Sequence, residues 1–171
     1  VRRCSNVPPT MPNTLTAVQV IAKGTSGPLE NTGFYKRALD FQKGAGTAVF
    51  IGPEELEARN PSKATDALRG QRGIDIKREN NTGKMIATTR NGLCQIPVLV
   101  DGVRVVSTKD FGGNTIQQRQ SSTSYQSIDD FVDGNTITAM EVYPRGAMVP
   151  QELQVPDAAC GLIVVWTGSR K

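Results

Sequence analysis

Gly161-Leu162-Ile163-Val164-Val165-Trp166-Thr167 is apolar almost throughout. A strand with one wet face alternates polar and apolar residues, whereas an unbroken β-branched and aromatic run is buried on both faces. This segment is therefore expected to be the central strand of a sheet. Working outward, residues 137–143 read as a second strand, and residues 97–106 as two strand halves around Asp101-Gly102, a strong hairpin signal. Residues 73–78 alternate Ile74 and Ile76 with Asp75 and Lys77, and a turn at 80–83 leads to a strand at 85–89. A short β-branched and aromatic run at 47–51 and an apolar stretch at 15–22 supply two further strand candidates.

Helical signals fall between these strands. Residues 34–41 place Phe34, Ala38 and Phe41 on one face and Lys36, Arg37 and Asp40 elsewhere, with Gly44-Ala45-Gly46 as the ending. Gly52-Pro53-Glu54-Glu55 opens a helix with proline in the first turn and carboxylates at the positive end of the dipole, and Asn60-Pro61 stops it. Ser62 is the expected cap of the next, whose Ala64, Ala67 and Leu68 share a face before Gly70 and Gly73. Residues 24–33 read as loop and 128–132 as one helical turn. The expected fold class is α/β (α+β): a mixed β-sheet of short strands with two or three short helices and long loops.

The chain has 171 residues, of which 37% are hydrophobic, 21% charged and 5% aromatic, so one core of ordinary size is the default. Residues 1–14, with Pro8, Pro9 and Pro12 among polar residues, read as an extended arm, and residues 15–171 as a single domain. Within it, 107–127 is a polar insertion rich in Ser, Thr, Gln and Asn, suited to ordering against a partner. Phe111, Asn114, Gln117, Arg119 and Tyr125 are its candidate contact residues.

Histidine is absent, which removes Ser/His/Asp and Cys/His catalysis and imidazole metal sites together. The net charge of +4 comes from scattered Lys and Arg rather than a basic stripe, so no nucleic-acid partner is expected. No apolar run approaches the roughly 20 residues of a membrane-spanning helix. Asp129, Asp130 and Asp133-Gly134 fail as a calcium loop, because setting Asp129 first puts Phe131 and Met140 where oxygen ligands are needed; helix caps are the expectation. Glu54, Glu55 and Glu57 serve a helix dipole, Gly44-Ala45-Gly46 lacks a dinucleotide fingerprint, and Tyr143 and Trp166 are expected to pack in or beside the core. No enzyme activity, metal or cofactor is expected. Cys4, Cys94 and Cys160 have no zinc-type spacing; they fit either buried small hydrophobes or one disulfide plus an odd thiol in an oxidising compartment.

Three segments together resemble the plug domain of TonB-dependent outer-membrane receptors. The passage from Pro61-Ser62-Lys63 through Ala67-Leu68-Arg69-Gly70 to Gly73-Ile74-Asp75-Ile76 is similar to the family's helix and "PGV" strand opening. Pro97-Val98-Leu99-Val100-Asp101-Gly102-Val103-Arg104-Val105 is similar to its "vlvDGvpv" hairpin. Ile137-Thr138-Ala139-Met140-Glu141-Val142-Tyr143-Pro144-Arg145-Gly146 and the 161–167 run are similar to its "IEvirGp" and closing "GGvInIiT" strands. Order and spacing agree across residues 47–167. The resemblance implies a plug-like sheet, and it implies that Ala17, Val18, Gln19 and Val20 either serve as a TonB-contacting box, by edge-strand addition, or form the domain's own first strand. The sequence departs from the pattern at Arg72, where proline is usual, at Arg90-Asn91-Gly92, where an Arg-Gly pair is usual, and at Cys160, which replaces a glycine. Cys94 just before the hairpin strand and Cys160 just before the closing strand are then placed to face each other and bridge, which favours the periplasm.

A receptor barrel of about 22 strands at roughly 10 residues each needs well over 200 further residues. The expectation is therefore a plug-like module without a barrel: a non-enzymatic periplasmic or outer-membrane-associated subunit that contacts other proteins of a membrane complex. The alternative is the plug of a TonB-dependent transporter, with TonB and a receptor barrel as partners.

Overall fold

The computed structural model describes residues 28–80, 82–92, 94–107 and 125–169. Its helices are α1 (Phe34–Asp40), α2 (Pro53–Arg59) and α3 (Ala64–Leu68), and its strands are β1 (Val49–Ile51), β2 (Ile74–Arg78), β3 (Met85–Thr89), β4 (Val98–Val100), β5 (Val103–Val106), β6 (Ile137–Tyr143) and β7 (Leu162–Thr167). Five strands form one sheet in the order β1-β6-β7-β4-β5, and β2-β3 is a separate hairpin. Strand β7 lies between β6, to which it is antiparallel, and β4, to which it is parallel, and Leu162, Ile163, Val164 and Val165 are fully buried. The unbroken apolar run is thus the centre of a mixed sheet, and the expected fold class holds.

Both sheet faces are covered by the chain itself. On one, Val98, Met140, Val142, Ile163 and Val165 pack with Leu56 of α2, Leu68 of α3 and Ile74 of the hairpin. On the other, Leu99, Tyr143, Leu162 and Val164 pack with Phe41, Val149 and Leu153, and Ala139 packs with Leu29 and Phe34. A register shift between Ile137 and Ala139 turns Ile137 to the first face, as an extra residue in an antiparallel pair does.

Turn chemistry sets the joints. The β4–β5 turn places Asp101 at φ 50° and Gly102 at φ 83°, the two left-handed residues that a tight hairpin with native twist needs. The Asp101 carboxylate also accepts the Thr167 backbone N–H at 2.8 Å and its hydroxyl at 2.5 Å, which ties the hairpin tip to the end of β7. Helix α2 begins at Pro53 and ends at Asn60 in the left-handed conformation, as its sequence requires. Residues 28–32 depart from the expected loop and wind into a 3-10 turn, closed by the Thr32 hydroxyl on the Leu29 carbonyl at 2.7 Å.

Two expectations are corrected. Ser62 does not cap α3: Lys63 holds the cap position without a side-chain bond, and the Ser62 hydroxyl meets Asp66 instead. The cap comes from far along the chain, where Asp129 accepts the Thr65 backbone N–H at 2.9 Å and its hydroxyl at 2.7 Å. Asp130 and Asp133 cap the short turns at Ile128–Asp130 and Gly134–Thr136, so the acidic cluster is spent on helix and turn ends. Replacing Asp129 by Ala strands a donor and a hydroxyl at the fully buried Thr65, and should lower stability by roughly 1–3 kcal/mol in urea unfolding. The second correction concerns Arg37, expected away from the apolar face of its helix. It lies three residues after Phe34 and is buried to 6% exposure, because a carboxylate waits beneath it.

Cys94 and Cys160 are joined by a disulfide with Cα atoms 6.2 Å apart, tying the approach to β4 to the turn before β7.

Candidate contact surfaces

The most charged point of the interior is Glu141 on β6, which is fully buried. Its side chain stands on the face that also carries Ala139 and Tyr143, directly under α1. Arg37 approaches as a fork, Nε 2.9 Å from Oε2 and Nη2 2.6 Å from Oε1. The Tyr143 hydroxyl donates to Oε2 at 2.5 Å and the Trp166 indole N–H to Oε1 at 2.7 Å, so one carboxylate takes four donors. Arg37 also stacks over the Trp166 ring, 5.9 Å from its centroid, and reaches Glu152 of the covering segment at 3.6 Å. Gly33 makes room for this side chain: it sits at φ 77°, and a Cβ there would lie 2.6 Å from the Arg37 Nη1. Burial alone would push the Arg37 guanidinium down, but the hydrogen bonds and charge of Glu141 outweigh it and hold it above its ordinary value.

Burial pushes the Tyr143 hydroxyl well above its ordinary 10.0, and the Glu141 charge pushes it the same way. An unfolded tyrosine releases its proton near pH 10 while the folded one keeps it, so above that pH the unfolded state binds fewer protons. This group therefore costs the fold stability as pH climbs past about 10 and has no such effect below. Tyr143→Phe should flatten the alkaline fall in urea midpoint between about pH 9 and 11.

A second feature lies at one end of the sheet. An open cleft of about 930 Å³ is bounded by the start of β1 at Gly46 to Val49, the foot of the β2–β3 hairpin, and the turn after β6. Arg72, Arg90 and Arg145 line it, all exposed, and no Asp or Glu does. Gly73 holds the walls together. It has φ 86°, and a Cβ on it would stand 2.4 Å from the Pro144 Cβ, a spacing that brings Arg72 beside Arg145. The three arginines are far apart in sequence, so no local pattern announces the cluster, although Arg72 and Arg90 both fall at departures from the plug pattern.

Of the sequence-derived site residues, Cys94 and Cys160 are brought together as a disulfide. Ala17, Val18, Gln19 and Val20 lie outside the described residues, as do Phe111, Asn114, Gln117 and Arg119. Tyr125 is half-buried, and burial followed by the Glu79 charge raises its hydroxyl above the ordinary value. Its approach to the core is stapled by the Gln95 amide donating to the Gln126 carbonyl and the Ser127 hydroxyl donating to the Met85 carbonyl, both at 2.6 Å. Tyr143 and Trp166 pack with the core as expected. Among the described residues no group of three His, Cys, Asp or Glu could hold a metal, and no helix is long and apolar enough to cross a membrane.

No family model and no curated protein matches the sequence. Among solved structures the chain is similar to the ferric enterobactin receptor PfeA, with a TM-score of 0.47 and 18% identity over 71% of this chain and 17% of the receptor. The RagAB peptide importer gives 0.46 and 17% over 73% and 12%, and the siderophore receptor PirA of Acinetobacter baumannii 0.43 and 18% over 71% and 17%. The chain spans less than a fifth of the length of each of these proteins.

Proposed function

We propose that this protein is a non-enzymatic, envelope-facing interaction module of plug-like fold that docks on a larger membrane-associated complex, with residues 1–14 and 107–127 as its contact segments. The observation that carries this reading is the fastening of α1. This helix follows the turn at Pro28–Thr32, and its Arg37 is locked inside the molecule to Glu141 on β6, next to the central strand. A partner that engages the segment ahead of this turn would act on a helix fastened to the core of the sheet. Two further observations support it. The segments that resemble plug motifs become β2, β4–β5, β6 and β7, and the Cys94–Cys160 bond suits an oxidising compartment such as the periplasm.

Native purification in mild detergent tests the proposal. The protein should run within a larger assembly, and deletion of residues 1–14 should release it while its far-UV circular dichroism persists. Recovery of the intact chain only as a free monomer overturns the reading.

A second reading, the plug of a TonB-dependent transporter, is favoured by one feature, the β-prone Thr16-Ala17-Val18-Gln19-Val20-Ile21-Ala22 ahead of α1. It requires the chain to retain a TonB C-terminal domain in a pull-down and to lose it on deletion of residues 15–22.

A further inference from the structure

We infer that the cleft at the foot of the β2–β3 hairpin is a binding site for a compact oligoanion of the phosphate type, held by Arg72, Arg90 and Arg145. The inference is independent of the docking proposal, since it asks only for a small anion on this chain.

Among the described residues, four of the five arginines outside the cleft hold carboxylates, Arg78 being the exception. Arg37 holds Glu141, Arg59 holds Glu55, Arg69 holds Asp66 and Arg104 holds Asp157. Arg72, Arg90 and Arg145 form no ion pair among the described residues, although all three line one concavity. Three like charges around one space repel, and screening weakens this without removing it inside about 8–10 Å. The fold holds them there regardless. Gly73 and Pro144 press the β2 and β6 ends together; Asp66 is engaged with Arg69 and Glu141 with Arg37, while Asp75, the carboxylate nearest Arg72 in sequence, lines a neighbouring concavity with Arg72 and Arg90 and forms no ion pair with either.

The lining chemistry is that of an anion site. Each guanidinium offers a planar pair of N–H donors that matches two oxygens of a phosphoryl group, and three from separate elements surround a multiply charged ligand rather than a single carboxylate. Thr47 and Thr89 also line the cleft, their hydroxyls donating to Met148 Sδ and Asn91 Oδ1. Its volume of about 930 Å³ lies within the roughly 300–1,000 Å³ usual for small-ligand sites. The cleft is open, so exchange with solvent is free and affinity is set by charge. Two sources carry this chemistry, a free oligophosphate and the phosphate of a lipid headgroup.

Titration calorimetry of the intact chain with inorganic pyrophosphate, at constant low ionic strength, is the first arm. Saturable one-site binding is expected, weakened at least tenfold in Arg72→Gln/Arg145→Gln. The control Lys36→Gln/Lys43→Gln loses the same charge from exposed positions outside the cleft lining and should bind as the parent does. All four side chains are exposed, and circular dichroism verifies that both variants fold. Co-sedimentation with phosphatidylglycerol vesicles is the second arm: binding lost in the cleft variant but kept in the control assigns the anion to a lipid headgroup, and its absence beside pyrophosphate binding assigns it to a free ligand. No saturable binding in either arm, or equal loss in both variants, overturns the site.

Discussion

Glu141→Ala should be the most damaging single change in the described fold, lowering the free energy of unfolding by about 3–5 kcal/mol. The carboxylate accepts from Arg37 twice, from Tyr143 and from Trp166. Its loss leaves a guanidinium at 6% exposure with no counter-charge at hand but the exposed Glu152 at 3.6 Å, and a buried hydroxyl without an acceptor. At roughly 2–4 °C per kcal/mol for a chain of this size, the melting temperature should fall by about 6–20 °C. The double variant Arg37→Met/Glu141→Leu separates two causes. Breaking one partner of a buried pair strands the other, whereas replacing both by apolar groups of similar volume is often nearly neutral, so the double variant should recover most of the loss. Thermal melts followed by circular dichroism decide the matter. A single variant within about 1 kcal/mol of the parent would mean that α1 is not fastened through this pair, and would remove the observation on which the docking proposal rests.

Removal of the Cys94–Cys160 bond should cost a comparable amount for a different reason. The bond closes a loop with a sequence separation of 66, and the chain-entropy relation for a loop of that length gives about 4 kcal/mol of restraint on the unfolded chain. Cys94→Ala/Cys160→Ala should therefore lower the urea midpoint without altering the folded core, since Cys94 is already buried as a small apolar residue would be. A thiol reductant should move the parent to the variant's midpoint and leave the variant where it is. If the midpoint of the reduced parent stays unchanged, the bond does not restrain the unfolded ensemble.

Much of the fold was legible because it rests on local chemistry. The unbroken run 161–167 could only be a central strand, Asp101-Gly102 could only be a tight turn, and Gly52-Pro53 with two following carboxylates could only open a helix. What escaped were side chains whose partners come from distant elements. Arg37 was assigned to the wet side of α1, although its spacing of three from Phe34 puts it on the apolar face; only Glu141 on a strand far along the chain gives a charge reason to be there. Glu141 itself carried a signal, since it shares a strand face with Ala139 and Tyr143. The cap of α3 was missed in the same way, because Asp129 reaches back to Thr65 while the nearby Ser62 turns to Asp66. The arginine cleft is a product of how the strand ends converge. Gly73, by its positive φ and its contact with Pro144, marks that convergence, and Arg72 and Arg90 stand beside it as departures from the plug pattern.

The position of β7 has a kinetic consequence. Hairpins β2–β3 and β4–β5 join residues close in the chain and can form as soon as they are made, but residue 98 of β4 pairs with 163 and residue 49 of β1 with 142. The strand at the middle of the sheet is the last of the seven to be synthesised, so β6 and β4 have no common neighbour until residues 162–167 exist. Closing such distant pairs carries the loop entropy first and returns the contacts afterwards, which makes folding slow relative to the local hairpins. Until that strand arrives, β6 can pair only with β1 and β4 only with β5, so the five-stranded sheet exists as two separate pairs that residues 162–167 join.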